Sequence, residues 1–238
     1  MLIDIRRFVR FPPDMPSGQN RIRAVFDRLM DAFGPQGWWP AETPFETMVG
    51  AILTQNTAWT NVERAMGALT AAGALEARTM LEMPDAELET LIRSAGTFRV
   101  KARRLKAFLA YYVVRYDADV SRMRDVPTGR LRKELLSVNG IGPETADCIL
   151  LYALERPSFV VDAYTRRVFG RLGLLDARLD YHDIQRRFQA ALPANAAVYN
   201  EYHALIVALG KRVCLPAPRC GACVLNTVCE TGGQDDPV

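Results

Sequence analysis

Leu135-Leu136-Ser137-Val138-Asn139-Gly140-Ile141-Gly142-Pro143-Glu144-Thr145-Ala146 joins two apolar-periodic segments through Gly-Ile-Gly. The two glycines permit positive φ and a close backbone approach, and Ile141 is placed to plug the space between the flanking helices. The helix that follows opens with unpaired N–H groups, a ready site for an anion. Gly-x-Gly alone is an ordinary turn. Between two apolar helices, and followed by Thr145-Ala146, the whole string is far more specific.

The rest of the chain reads as helix. Thr43-Pro44-Phe45-Glu46 is a capping box with proline at the first helical position. Phe45, Met48, Val49, Ile52 and Leu53 follow at helical spacing. The same periodicity predicts helices over Ile22 to Phe33, Asn61 to Ala72, Ala86 to Arg93, Val100 to Tyr116 and Glu144 to Leu154, with Thr128 as the cap of a segment running to Ser137. An extended link at Phe159-Val160-Val161 precedes three more, Ala163 to Leu172, Ile184 to Leu192 and Val198 to Val213. Alternating β-branched runs are scarce, so the expectation is an all-α protein.

At 238 residues, 49% hydrophobic and 24% charged, the chain suits one or two ordinary globular domains. The start, Met1 to Arg7, mixes acid and base into its apolar residues and does not read as a secretory signal. No apolar run is long enough to span a bilayer. These features point to the cytoplasm. The net charge of +3 is unevenly spread. Arg99, Lys101, Arg103, Arg104 and Lys106 form an acid-free basic run, Arg122 to Lys133 carries more, and acids include Asp235 and Asp236. Basic runs suit phosphate contacts, and a solvated helix face is the plain alternative.

Cys214-x5-Cys220-x2-Cys223-x5-Cys229 closes the chain, with Cys148 elsewhere reading as a core thiol. Structural zinc sites of four cysteines usually pair two CxxC-like knuckles. Here a single CxxC with five-residue arms better wraps a larger object, a [4Fe–4S] cluster. Zinc stays the competitor, and two disulfides suit neither the size nor the compartment.

The hairpin string resembles the helix-hairpin-helix of the endonuclease III superfamily of DNA glycosylases. Phe159-Val160-Val161-Asp162-Ala163-Tyr164-Thr165-Arg166-Arg167-Val168 is similar to that superfamily's aspartate segment. The four cysteines resemble its iron–sulfur loop, with the first interval one residue shorter than usual. The likeness reaches upstream through Leu53-Thr54-Gln55-Asn56-Thr57, covering most of residues 36–230.

The resemblance implies a two-lobed helix-hairpin-helix fold. A six-helix barrel would span residues 36–156, and residues 1–35 with 157–238 would form a helical domain with the cluster loop. The active site would lie in the cleft between them. It implies Asp162 as the catalytic carboxylate, stabilising an oxocarbenium-like sugar and orienting water; a plain N-cap is the alternative. Glu144 stands where strand-cleaving members carry a lysine, and a glutamate cannot form their Schiff base. A monofunctional enzyme is therefore expected.

Trp38, Trp39, Pro40 and Trp59, with Glu144 and Tyr164, are the candidate base pocket, since aromatic faces hold a flipped base and favour a cationic one. The aromatics resemble the 3-methyladenine glycosylase branch; core packing is the alternative for each. Gln55, Thr97 and Phe98 are candidates for probing the opened duplex, and Asn139, Gly140, Ile141 and Gly142 for gripping its backbone. His182 and His203 read as structural. The expected protein is a monomeric, nucleoid-associated base-excision enzyme acting on alkylated purines in double-stranded DNA. Its rivals are a glycosylase for oxidised pyrimidines or mismatches, with or without lyase activity, and a non-catalytic DNA-binding redox sensor.

Overall fold

The computed structural model describes residues 17–234. The opening residues Met1 to Arg7 and the acidic pair Asp235 and Asp236 lie outside the described residues. Among the described residues every regular element is helical. The chain divides into two compact units, one formed by residues 17–38 with the chain from Pro157 onward, the other by Trp39–Arg156.

In the first unit α1 (Ser17–Phe33) returns to pack with helices far along the chain. The second unit runs through α2 (Pro44–Leu53), α3 (Trp59–Ala71), α4 (Ala77–Glu82), α5 (Asp85–Leu91), α6 (Phe98–Tyr116), α7 (Val120–Arg124), α8 (Thr128–Ser137) and α9 (Pro143–Cys148). A π turn, Ile149–Ala153, ends it. The first unit resumes with α10 (Ala163–Arg171), α11 (Tyr181–Ala191) and α12 (Ala196–Arg212).

Local chemistry sets these ends. The Thr43 hydroxyl accepts from Glu46 N at 3.1 Å, and Pro44 fills the first helical position. The Glu46 carboxylate reaches back to accept from Glu42 N at 2.8 Å, one residue beyond Thr43 N, the usual capping-box partner. Asp162, Asp180 and Asn195 cap α10, α11 and α12 through their side chains. Thr128 is not a cap as expected: it is the first helical residue, and its hydroxyl accepts from Arg156 at 2.8 Å.

Two helices had no sequence expectation. Glu76, an unusual capping residue, starts α4 by accepting from Arg78 N and Thr79 N. Asp119 starts the five-residue α7, directly after Asp117 and Ala118 turn through positive φ. Neither segment is long enough to show a periodic apolar stripe.

Each unit has its own core. In the second, seven of the ten residues of α2 are buried, so this helix is apolar nearly all round and sits centrally. In the first, aromatic rings dominate: Phe159 stacks on Phe188 at 4.2 Å between centroids, and Phe169 and Tyr202 meet Phe188 edge-on. The Tyr202 hydroxyl donates to Ile22 O and so ties α12 to α1.

Candidate active site and nucleic-acid interface

The hairpin of the second unit is α8, the link Val138–Gly142, and α9. Gly140 takes φ +86°, and a Cβ there would stand 2.2 Å from Arg104 Cγ. A side chain would need both a strained backbone and a displaced arginine. Ile141 is buried and its N–H donates to Val138 O at 3.1 Å, so it plugs the bend. Asn139 and Gly142 are exposed. Arg132 grips the fully buried Asp147 carboxylate with two 2.8 Å hydrogen bonds, bracing α8 against α9.

Gln55, just past the end of α2, is bound to this hairpin. Its Nε2 donates to Gly140 O at 3.0 Å and to Thr145 Oγ1 at 2.8 Å, while its Oε1 accepts from Arg104 Nη1. Both ends of the amide are thereby engaged.

The basic run is partly structural. Lys101 is buried, and its Nζ donates to Leu53 O at 2.8 Å and Ala95 O at 2.7 Å. It thus closes the carboxyl end of α2 and fixes the turn before Thr97. Burial, helped by the Arg104 charge, pushes its pKa down to about 8. The half-buried Lys106 donates to Leu81 O and Met83 O. Arg99 and Arg103 are exposed.

Thr97 is exposed with φ +38°, a left-handed position that residues other than glycine seldom adopt. Phe98 opens α6, half-buried, with the Arg93 and Arg99 guanidinium carbons each 5.5 Å from its ring centroid.

Trp39, Pro40 and Trp59 line one pocket with Glu46, Glu63 and Met66. Trp39 meets Trp59 edge-on at 4.9 Å and Tyr152 at 5.0 Å. Trp59 Nε1 donates to Glu63 at 2.8 Å. Glu144 stands exposed in the first turn of α9. Trp38 and Tyr164 belong to the other unit. There the Lys211 ammonium lies 5.7 Å from the Trp38 ring, and Arg167 lies 5.1 Å from the Tyr164 ring.

Asp162 caps α10. Oδ1 accepts from Thr165 N at 2.7 Å and Thr165 Oγ1 at 2.9 Å, and Oδ2 lies 3.4 Å from His203 Nε2 on α12. The side chains of Asp162 and His203 are 12% and 7% exposed. Burial works to raise the carboxyl, but His203 and the Thr165 hydrogen bonds outweigh it, so the group sits below the usual aspartate value. His203, expected only to be structural, is a direct partner of Asp162. Nothing in the sequence spacing signals a contact between residues so far apart.

Two residues before His203, the buried Glu201 accepts from Gln36 N at 2.6 Å, and burial raises its carboxyl although the Gln36 and Gly37 N–H groups oppose this. This bond holds the backbone leading into Trp38.

Cys214, Cys220, Cys223 and Cys229 line a single small cavity with Arg171, Arg219 and Asn226. Arg171 donates to Leu215 O at 2.6 Å and Pro216 O at 2.7 Å and lies 3.3 Å from Cys214 Sγ. Burial, then the neighbouring three thiols, raise the Cys223 thiol. Among the described residues no three His, Cys, Asp or Glu side chains converge closely enough to hold one metal ion. Cys148 is buried apart from them. Among the described residues no helix is long and apolar enough to cross a membrane.

The HhH-GPD superfamily model of base excision DNA repair proteins matches residues 49–194. A Methanocaldococcus jannaschii protein assigned as a DNA repair glycosylase is 46% identical over 209 residues, 87% of this chain and 95% of that protein. An endonuclease III trapped covalently on DNA superposes with TM-score 0.79 at 24% identity, covering 92% of this chain and 99% of the other. The H. pylori 3-methyladenine DNA glycosylase bound to 1,N6-ethenoadenine superposes with TM-score 0.70 at 26% identity, covering 83% and 98%. The chain belongs to the HhH-GPD superfamily of base excision DNA repair proteins. It is a DNA glycosylase, an enzyme of base excision repair.

Proposed function

We propose that this glycosylase is monofunctional and removes alkylated purines, with Asp162 as the carboxylate that stabilises the sugar cation. The observation that carries this reading is the pairing of tryptophan faces with carboxylates in one pocket. Trp39 and Trp59 offer π faces, and Glu46 and Glu63 offer negative charge beside them. A positively charged alkylated base gains from both, and a neutral oxidised pyrimidine gains little. A cationic base is also a good leaving group, so the enzyme needs no strong acid to protonate it.

In the proposed reaction the base is flipped from the stack, and the bond between its nitrogen and C1′ breaks with both electrons leaving on the base. Asp162 stabilises the positive sugar, and water adds at C1′ while losing a proton. Glu144, in the first turn of α9, has no amine with which to form a covalent adduct, which supports hydrolysis without strand cleavage. The hairpin amides, with Asn139, Gly140, Ile141 and Gly142, would grip the strand. Thr97 and Phe98 would face the disrupted pair, while the Gln55 amide, expected there too, is engaged by the hairpin and Arg104.

The four cysteines suit a [4Fe–4S] cluster, since a four-thiolate donor set around one cavity matches its ligand chemistry. Such a cluster would hold Cys214 to Cys229 in one rigid loop. Iron and sulfide analysis would support it; one zinc per chain without sulfide would replace it.

The substrate reading is tested with methylated DNA, oxidised-pyrimidine duplexes and mismatched duplexes, with and without borohydride. Release of methylated purines, and no trapped protein–DNA adduct, is expected. Release confined to oxidised pyrimidines or mismatches would overturn the substrate, and a trapped adduct would overturn the monofunctional mechanism.

A further inference from the structure

We propose that His203 is a positioning residue for base release, holding the Asp162 carboxylate charged and in one orientation from the neighbouring helix. The inference rests on the proposed role of Asp162.

The two carboxylate oxygens have different partners. A helix cap needs only one oxygen, and Oδ1 fills that role through Thr165 N and Oγ1. Oδ2 is left facing His203 Nε2 at 3.4 Å. With Nε2 as the protonated nitrogen, the ring donates toward Oδ2, and a second proton would add positive charge at the same place. Either form favours the ionised carboxylate. The separation is at the long end for a hydrogen bond.

The register of α10 on α12 is built to make this contact. Gly210 lies seven residues after His203, on the same face of α12. A Cβ at Gly210 would stand 2.4 Å from Tyr164 Cδ1, so the glycine lets α10 settle against α12 at this level. Arg167 then donates to Gly210 O at 3.0 Å and Cys214 O at 2.8 Å, locking the same register.

The other charged and titratable groups of these elements are turned elsewhere. Arg166 donates to Leu179 O, Arg167 to the two carbonyls just named, and Arg171 to Leu215 O and Pro216 O. Glu201 holds Gln36, Lys211 lies over Trp38, and the Tyr181 hydroxyl is 3.4 Å from Val161 N. Arg212 is exposed. Among the described residues, His203 and Thr165 are the side chains that act on Asp162.

The sign follows from linkage. Asp162 is held below its usual value, so its charge persists as pH falls and is lost only when pH passes the depressed value. Removing His203 takes away the largest opposing influence, leaves burial less opposed, and moves that loss to higher pH.

The test is single-turnover release of methylated purines from methylated duplex DNA between about pH 5 and pH 8, corrected for spontaneous loss. The native enzyme should show no acid limb in this window. His203→Leu should lose about tenfold in rate for each pH unit below its raised midpoint. His203→Gln, which retains a donor, should restore much of the flat profile, and lesion-free DNA binding should not change.

A His203→Leu profile matching the native one would overturn the inference while leaving Asp162 in its role. Full activity in Asp162→Asn would instead overturn the reading beneath it. Carbon NMR titration of the Asp162 carboxyl in native protein needs no folded variant: an ionised group at pH 5 is expected, and protonation above pH 5 would overturn the inference.

Discussion

The hairpin and the cysteine loop both hold irregular backbone in place, by opposite means. The hairpin is held by the protein itself. Arg132 and Asp147 brace its two helices, Gln55 and Arg104 hold the bend, and Ile141 fills it. The cysteine loop has two arginines, Arg167 and Arg171, reaching its carbonyls, and four thiols lining a common cavity. Short backbone turns run through the loop, and on the proposed cluster reading a bound group would tie its four thiols together; the hairpin is tied by its own side chains. On the proposed reading the contrast separates an element braced by its own side chains from one whose thiols would be joined through a cofactor.

The contrast is broken most readily at the buried ion pair. Asp147→Ala strands the Arg132 charge, and thermal or urea unfolding should show a loss of about 3 kcal/mol. A loss under about 1 kcal/mol would mean that the hairpin is not held by that brace. With the proposed cluster bound, its removal should leave the hairpin unchanged, while amides from Cys214 to Cys229 exchange on the order of 100-fold faster. Equal loosening of both regions would end the distinction. Gln55→Ala leaves Gly140 O and Thr145 without its amide, for about 1–2 kcal/mol, and should loosen the bend without changing the cysteine loop.

The hairpin, the capping aspartate and the cysteines were legible because each is a short local pattern. The family match covers residues 49–194, and the all-helical architecture agrees with the sequence expectation. What joins these motifs was not legible. Gln55 and Gly140 are 85 residues apart, and Arg132 and Asp147 are 15 apart with no pattern between them. Lys101 looked like one more solvated charge in a basic run, yet it is buried against two carbonyls. Helices α4 and α7 escaped because short segments with few turns display no stripe. Trp38 was grouped with Trp39 and Trp59, but the chain assigns it to the other compact unit.

The most direct measurement is base release from methylated duplex DNA by the native protein and by Asp162→Asn. Asparagine is as good a helix cap as aspartate, so α10 should survive the change. Only the negative charge is removed. Native protein should release methylated purines, and Asp162→Asn should be slower by about 10²–10³-fold with unchanged DNA binding. Equal rates for the two proteins would contradict the account and reduce Asp162 to a helix cap.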